Sequence, residues 1–242
     1  MQEQRQALVE AMAAILAGGL GTRLRPVLAQ RPKVLASVNG RPYLSYLLDQ
    51  LEGTGVRTVV VCTGYLGEQV RAAFGNSYRG INLLYSQESV PLGTAGALRL
   101  ALPLFKSEVV LVMNGDSYCE ADLKAFWMFH RERRSQGSLL LAKVDDTRAH
   151  GRVRMDGEGV VTAFNEKGIC REPGWINAGV YLLSRSLLQT IPQTFSLEKD
   201  VFPQWVTAGL LHGYSSQGRF IDIGTPESYA RAEEFFAPMV TR

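Results

Sequence analysis

The sequence predicts an α/β fold, a mixed and mostly parallel sheet covered by helices on both faces, with a small antiparallel excursion. Three observations predict it. Short, nearly continuous apolar runs (AILA from Ala14, VVVC from Val59, VVLVM from Val109) alternate with segments of helical periodicity. Such runs suit strands buried on both faces, and their alternation with helices is the pattern of parallel sheets. Beyond position 150 the texture changes to short strands around a Gly157-Glu158-Gly159 turn, the excursion.

Taken in order, AILA reads as a buried strand feeding the glycine-rich loop that starts at Gly18. Leu44, Leu47, Leu48 and Leu51 repeat at helical spacing behind Gly40-Arg41-Pro42, with Pro42 where a helix can begin. RTVVVCTG reads as a strand, YLGEQVRAAFG as a helix closed by Gly75, INLLYS as a strand and TAGALRLAL as a helix. EVVLVMNGD is a strand ending in Asn114-Gly115-Asp116, and ADLKAFWMFHRERR a helix with Leu123, Phe126, Trp127 and His130 on one face. RVRMD and VVTAF form a hairpin, and WINAGVYLLS is a further strand. The 242 residues, 46% hydrophobic and 20% charged, suffice for one core. No repeat, low-complexity tract or linker divides them, so the expectation is an extension over residues 1–11 and one domain over 12–242.

A net charge of +3 is too small and too dispersed for nucleic acid or an anionic membrane surface. Arg131, Arg133 and Arg134 read as a solvated helix end. Cys62, Cys119 and Cys170 are odd in number and lack metal-ligand spacing, which points to neither a disulfide framework nor zinc, and to a reducing cytoplasm. The opening MQEQRQALVEAMAAIL lacks a basic n-region, and its apolar part is too short for a membrane span.

The chemistry begins at AILAGGLGTRLRPVLAQRPK, Ala14 to Lys33, which joins bare backbone to four cations. It is not a P-loop, because Lys33 lies well downstream of the glycines. Nor is it a dinucleotide fingerprint: Leu24 stands where the third glycine belongs, and the strand ending Val61-Cys62-Thr63-Gly64 carries no ribose-binding acid. A loop whose N–H groups approach phosphate oxygens while Arg23, Arg25 and Lys33 supply full charges fits a polyphosphate.

The order A-G-G-x-G-T-R-L-R-P followed by P-K resembles the signature of the sugar-1-phosphate nucleotidylyltransferases. The resemblance continues through Ser86-Gln87-Glu88, Pro91 to Gly96, Asn114-Gly115-Asp116, Glu166-Lys167, Trp175 to Gly179 and Phe220 to Pro226, from Ala14 to about Ala237. MNGDSY, WINAGVYLL and FIDIGTPESY most resemble the branch that guanylylates D-glycero-α-D-manno-heptose 1-phosphate. The resemblance implies a Rossmann-like, three-layer nucleotidyltransferase fold. The implied reaction is Mg²⁺-dependent transfer from a nucleoside triphosphate, GTP for this branch, to a sugar 1-phosphate, with release of pyrophosphate. Mannose 1-phosphate, or UTP or dTTP with a hexose 1-phosphate, is the alternative within the class. A noncatalytic nucleotide-sugar sensor or regulatory subunit is the alternative outside it, and the oligomeric state, a homo-oligomer included, stays open.

Residue by residue, the resemblance implies Arg23 and Lys33 for catalysis. Ala17, Gly18, Gly19, Gly21, Thr22, Glu88, Gly93 and Thr94 would hold the nucleotide, Gly151, Glu166, Lys167 and Asn177 the sugar phosphate, and Asp116 and Asp222 the Mg²⁺. The chemistry agrees with those residue types. A phosphomonoester, with its second pKa of about 6, is largely a dianion at neutral pH and attacks without a side-chain base. What remains is positioning and charge stabilisation, suited to cations, amides and a hard metal ion held by carboxylates. Plainer roles compete at each position. Asp116 also suits a turn after Asn-Gly, Asp222 a helix cap, Lys167 a solvated hairpin lysine, and Glu88 a surface charge. As an acceptor, Glu88 also matches the N–H donors of guanine.

Overall fold

The structure is a computed structural model and describes residues 8–28, 30–148, 150–165 and 171–240. β1 (Met12–Ala17) enters the glycine loop, which passes through the short helix α1 (Arg25–Leu28) to a single 3₁₀ turn at Lys33–Leu35. A two-residue ribbon, β2 (Ser37–Val38) and β3 (Arg41–Pro42), leads into α2 (Tyr43–Leu51), so Pro42 precedes the helix as expected. β4 (Thr58–Thr63), α3 (Gly67–Phe74), β5 (Ser77–Tyr78), β6 (Ile81–Gln87), α4 (Gly93–Ala101), β7 (Val109–Asn114), β8 (Ser117–Cys119) and α5 (Leu123–Glu132) follow. Then come β9 (Gly137–Val144), the hairpin β10 (Arg152–Met155) and β11 (Val161–Asn165), the long β12 (Gly174–Ser184), and α6 (Arg185–Gln189). The chain ends with α7 (Phe202–Thr207), β13 (Leu211–Ser216), β14 (Phe220–Asp222), α8 (Pro226–Ala230) and α9 (Ala232–Val240).

β7, β1, β4 and β6 lie side by side and parallel. β12 runs antiparallel beside β7, and it pairs antiparallel with both β10 and β9; β13 extends β9 in parallel. The sheet is therefore mixed, with the predicted hairpin on its flank.

The apolar runs are explained by burial on two faces. Ala13, Ile15, Val59, Val61, Leu111 and Met113 point to one side, under Leu44, Leu47 and Leu48 of α2 and Phe126 and Trp127 of α5. Ala14, Val60, Cys62, Val110 and Val112 point to the other, under Leu98 of α4 and Phe202 and Trp205 of α7. Successive strand residues face opposite sides, so only an unbroken apolar run satisfies both layers. Residues 1–7 of the expected extension lie outside the described residues; Leu8 is fully buried in the first core layer.

His130 is buried too, its Nδ1 2.9 Å from Ser138 Oγ, and burial lowers its pKa to about 4. Arg131 pairs with Glu10 at the exposed end of α5. Cys62 and Cys119 are free and buried, and Cys170 lies outside the described residues. Among the described residues no helix is long and apolar enough to cross a membrane.

Candidate active site

The carboxyl ends of β1, β6 and β7 open onto one cleft, where ligands gather in an open α/β sheet. Its larger cavity, about 440 Å³, is lined by Ala17, Gly18, Gly19, Arg23, Lys33, Glu88, Gly93, Thr94 and Asp116, all predicted from sequence. Gly21 and Thr22 are not among the lining residues. Gly21, at φ +57°, accepts Leu24 N–H at 2.9 Å and so closes the turn that returns Arg23 to the cleft.

Gly18 lies against Glu88: a Cβ on it would stand 3.0 Å from Glu88 Oε1. The bare loop and the glutamate thus occupy one site together. Glu88 follows β6, its N–H bonded to Thr63 O, and its Oε2 accepts Leu92 N–H at 3.1 Å. Burial raises its carboxyl above the usual glutamate range, and the Leu92 bond only partly opposes this. Gly93 opens α4 at φ +76°, with the Phe195 carbonyl oxygen 2.5 Å from where a Cβ would be. Thr94 does not offer a spare hydroxyl donor to a nucleotide, since it donates to Glu198 Oε2 at 2.8 Å and accepts Leu197 N–H at 2.8 Å.

Lys33 and Asp116 form the charged centre, with Nζ 2.7 Å from Oδ2. The lysine side chain is 12% exposed and the aspartate 42%, so a ligand in the cleft meets the carboxylate more readily than the ammonium. Partial desolvation in the cleft pushes the Asp116 carboxyl up. The Lys33 charge and hydrogen bond, the Ser117 hydroxyl and the Arg23 charge outweigh this and leave it below the usual aspartate range.

Asp222 reaches the same place through strand pairing. β14 runs antiparallel to β8 with Asp222 opposite Ser117, and Ile223 N–H bonds Asp116 O at 2.8 Å. Gly224 N–H donates to Asp222 Oδ1 at 2.7 Å, fixing the carboxylate. Both aspartates line a second, smaller cavity of about 170 Å³ with Gly151, Asn177 and His150, and it shares Arg23, Asp116 and Glu198 with the first. Two carboxylates are a donor set that Mg²⁺ accepts, completed by phosphate and water. Among the described residues no group of three or more His, Cys, Asp or Glu side chains could hold a metal ion without such help. Glu166 and Lys167 lie outside the described residues.

Three site residues escape sequence reasoning. His150 falls outside the matched motif cores, yet its Nε2 stands 3.9 Å from Asp222 Oδ2 and its ring meets Phe220 edge-on. Tyr181 lies inside an apolar strand, yet its hydroxyl accepts Asn177 Nδ2–H at 2.8 Å. Glu198 sits on the wide turn Leu197–Val201, where Val201 N–H reaches back five residues to Ser196 O. The one sequence signal for any of them is that His150 adjoins Gly151.

The family description "Nucleotidyl transferase" matches residues 12–238. The chain is 35% identical to D-glycero-α-D-manno-heptose 1-phosphate guanylyltransferase of Aneurinibacillus thermoaerophilus, over 92% of this chain and 96% of that protein. It is 37% identical to mannose-1-phosphate guanylyltransferase of Mycobacterium tuberculosis over 90% of this chain, which spans 62% of that protein's length. HddC from Yersinia pseudotuberculosis, whose structure is also known complexed with GMP-PN, superposes with a TM-score of 0.82 at 33% identity, covering 93% of this chain and 98% of that one. With a glycine loop, a Lys33–Asp116 pair and a second aspartate meeting at the strand ends, and this match along nearly its whole length, the chain belongs to the nucleotidyl transferase family.

Proposed function

We propose that the protein transfers guanylyl from GTP to a sugar 1-phosphate, D-glycero-α-D-manno-heptose 1-phosphate in preference to mannose 1-phosphate, forming a GDP-sugar and pyrophosphate. One observation carries the reading: the nucleotide and acceptor cavities meet at Arg23 and Asp116, where two bound anions would face each other. The similarity to heptose- and mannose-1-phosphate guanylyltransferases, and the binding of GMP-PN by HddC, support guanine and a manno-configured sugar. A cytoplasmic location belongs to the proposal and is supported by the free thiols of Cys62 and Cys119.

The sugar phosphate attacks the α-phosphorus of GTP and pyrophosphate leaves in line. The loop amides of Gly18 and Gly19 approach the triphosphate, and Arg23 and Lys33 stabilise the charge that develops on the transferring group. Glu88 accepts hydrogen bonds from the guanine N–H donors. Asn177 and Gly151, with Glu166 and Lys167, hold the sugar and its phosphate. Asp116 and Asp222 would hold Mg²⁺, which when bound screens the phosphate charge. His150, beside Asp222, adds a polar wall to the acceptor cavity.

The test is a matrix of GTP, ATP, UTP and dTTP against heptose, mannose and glucose 1-phosphates, read by pyrophosphate release and product mass. GTP with the heptose phosphate should give the highest kcat/KM. A mannose preference removes the heptose assignment alone. Thermal stabilisation by GTP with no pyrophosphate released from any pair would instead make the protein a nucleotide-sugar sensor.

A further inference from the structure

The acceptor cavity, at about 170 Å³, falls short of the roughly 300–1,000 Å³ usual for small-molecule sites. A further cavity of about 560 Å³ adjoins it, and the two share His150, Phe220 and Asp222. The rings of His150 and Phe220 meet edge-on, 5.3 Å apart, and line both. The nucleotide cavity touches none of these three and meets the acceptor cavity at Arg23, Asp116 and Glu198 instead. The acceptor cavity therefore opens at two ends: toward Arg23 and Asp116, where a bound phosphate would face GTP, and past His150 and Phe220.

Most of the charge around the further cavity is already spent. Arg219 donates to both oxygens of Glu120, at 2.8 and 2.6 Å, and lies over the Phe235 ring. Asp146 accepts Arg148 Nε–H at 3.0 Å and Nη2–H at 2.7 Å. Arg231 and Glu234 differ: both line the cavity, and neither side chain forms a hydrogen bond or ion pair with another described residue. Arg231 follows directly on α8 and Glu234 lies in the first turn of α9, so the segment that follows Asp222 carries both. One offers donors, the other acceptors.

We infer that this cavity is a subsite for the exocyclic carbon chain of the acceptor sugar, where Arg231 donates to the chain's hydroxyls and Glu234 accepts from them. The inference rests on the function proposed above and names what selects its sugar. With the phosphate held toward Arg23 and Asp116, ring hydroxyls reach one atom beyond the ring and stop inside the smaller cavity. The heptose carries a two-carbon diol on C5, long enough to pass His150 and Phe220. Mannose has one carbon there and leaves Arg231 and Glu234 to water. A hydroxyl both donates and accepts, so a diol suits a cation and a carboxylate together.

The test compares the parent protein with the double variant Arg231→Met, Glu234→Gln, using GTP and three acceptors: D-glycero-α-D-manno-heptose 1-phosphate, its C6 epimer and mannose 1-phosphate. Both positions are exposed, so the core is left intact. The parent protein should prefer the heptose to the other two. In the variant kcat/KM for the heptose should fall about tenfold or more, the scale of a hydrogen bond to a charged group, while kcat/KM for mannose 1-phosphate and the KM for GTP stay within about twofold. Discrimination between the C6 epimers should fall with it, a readout that a merely structural role would not move. Equal losses on all three acceptors overturn the inference. A parent protein that uses mannose 1-phosphate as well as the heptose removes the heptose assignment, and the subsite with it. A heptose preference that survives the double variant overturns the subsite alone.

Discussion

On the side of the cleft proposed for the nucleotide, Ala17, Gly18 and Gly19 arrive on one unbroken strand and loop and offer backbone, with Lys33 a short way downstream. On the side proposed for the acceptor, Gly151, Asn177 and Asp222 arrive on segments tens of residues apart, and all but Gly151 offer side chains. The nucleotide half needs little more than parallel strand ends and glycines. The acceptor half depends on the β8–β14 pairing and on the placement of β12 beside the β10–β11 hairpin. A triphosphate is the same whatever the base or sugar, so local backbone suffices to meet it. A particular sugar has to be met by hydroxyl-specific groups drawn from several places.

The largest effects should come where the halves meet. Chelation with EDTA should abolish turnover. Asp116→Asn and Lys33→Ala should each lower kcat by about 10²–10³, the scale of a removed charge-stabilising group. Unchanged far-UV circular dichroism would show that the fold persists, whereas full activity in EDTA would remove the metal from the mechanism.

Smaller and one-sided effects should separate the halves. Glu88→Gln should reduce the preference for GTP over UTP by roughly tenfold or more, since a hydrogen bond to a charged group is worth about 1.5–3 kcal/mol. The KM for the sugar phosphate should not move. Asn177→Ala and Lys167→Ala should do the reverse, raising the KM for the sugar phosphate several-fold, on the order of 1 kcal/mol, while GTP is little affected. Initial-rate measurements varying each substrate in turn decide this, and equal shifts on both substrates would dissolve the division.

The smallest effect is a pH contrast between two carboxylates. Glu88 titrates above the ordinary glutamate value of about 4.3, so acidification should weaken GTP binding before an ordinary glutamate would protonate. Its ionised form costs folding stability that is recovered as pH falls through the raised pKa. Asp116 runs the other way: its contribution is present above the ordinary aspartate range and is lost as pH falls through its depressed value. A pH profile of the KM for GTP, with Glu88→Gln lacking the acidic limb, checks the first. Acid-unfolding curves of Asp116→Asn against the parent protein check the second.

Where information was local, it was legible. VVVC and VVLVM had to be strands with both faces covered, and the Leu44 to Leu51 spacing had to be a helix. The residue types of the loop from Gly18 to Lys33 point to a phosphate site, and the structure sets Gly18, Gly19, Arg23 and Lys33 on the cleft. Thr94 lines the cleft as expected, but nothing local shows that its hydroxyl is spent on Glu198 and Leu197. No local pattern ties His150 to Asp222, which lies far along the chain. Nothing local marks Glu198.

By itself, the sequence determined the two-sided burial of the sheet, the bare and cationic loop at its carboxyl edge, and the polyanionic class of ligand, since each follows from short-range periodicity and residue chemistry. Only the tertiary structure decided that Asp222 stands opposite Ser117, that His150 faces it, and that Glu198 borders both cavities. These contacts join residues remote in sequence. They depend on strand pairing and on the packing of the segment around Phe195 against the start of α4, and no local propensity encodes either.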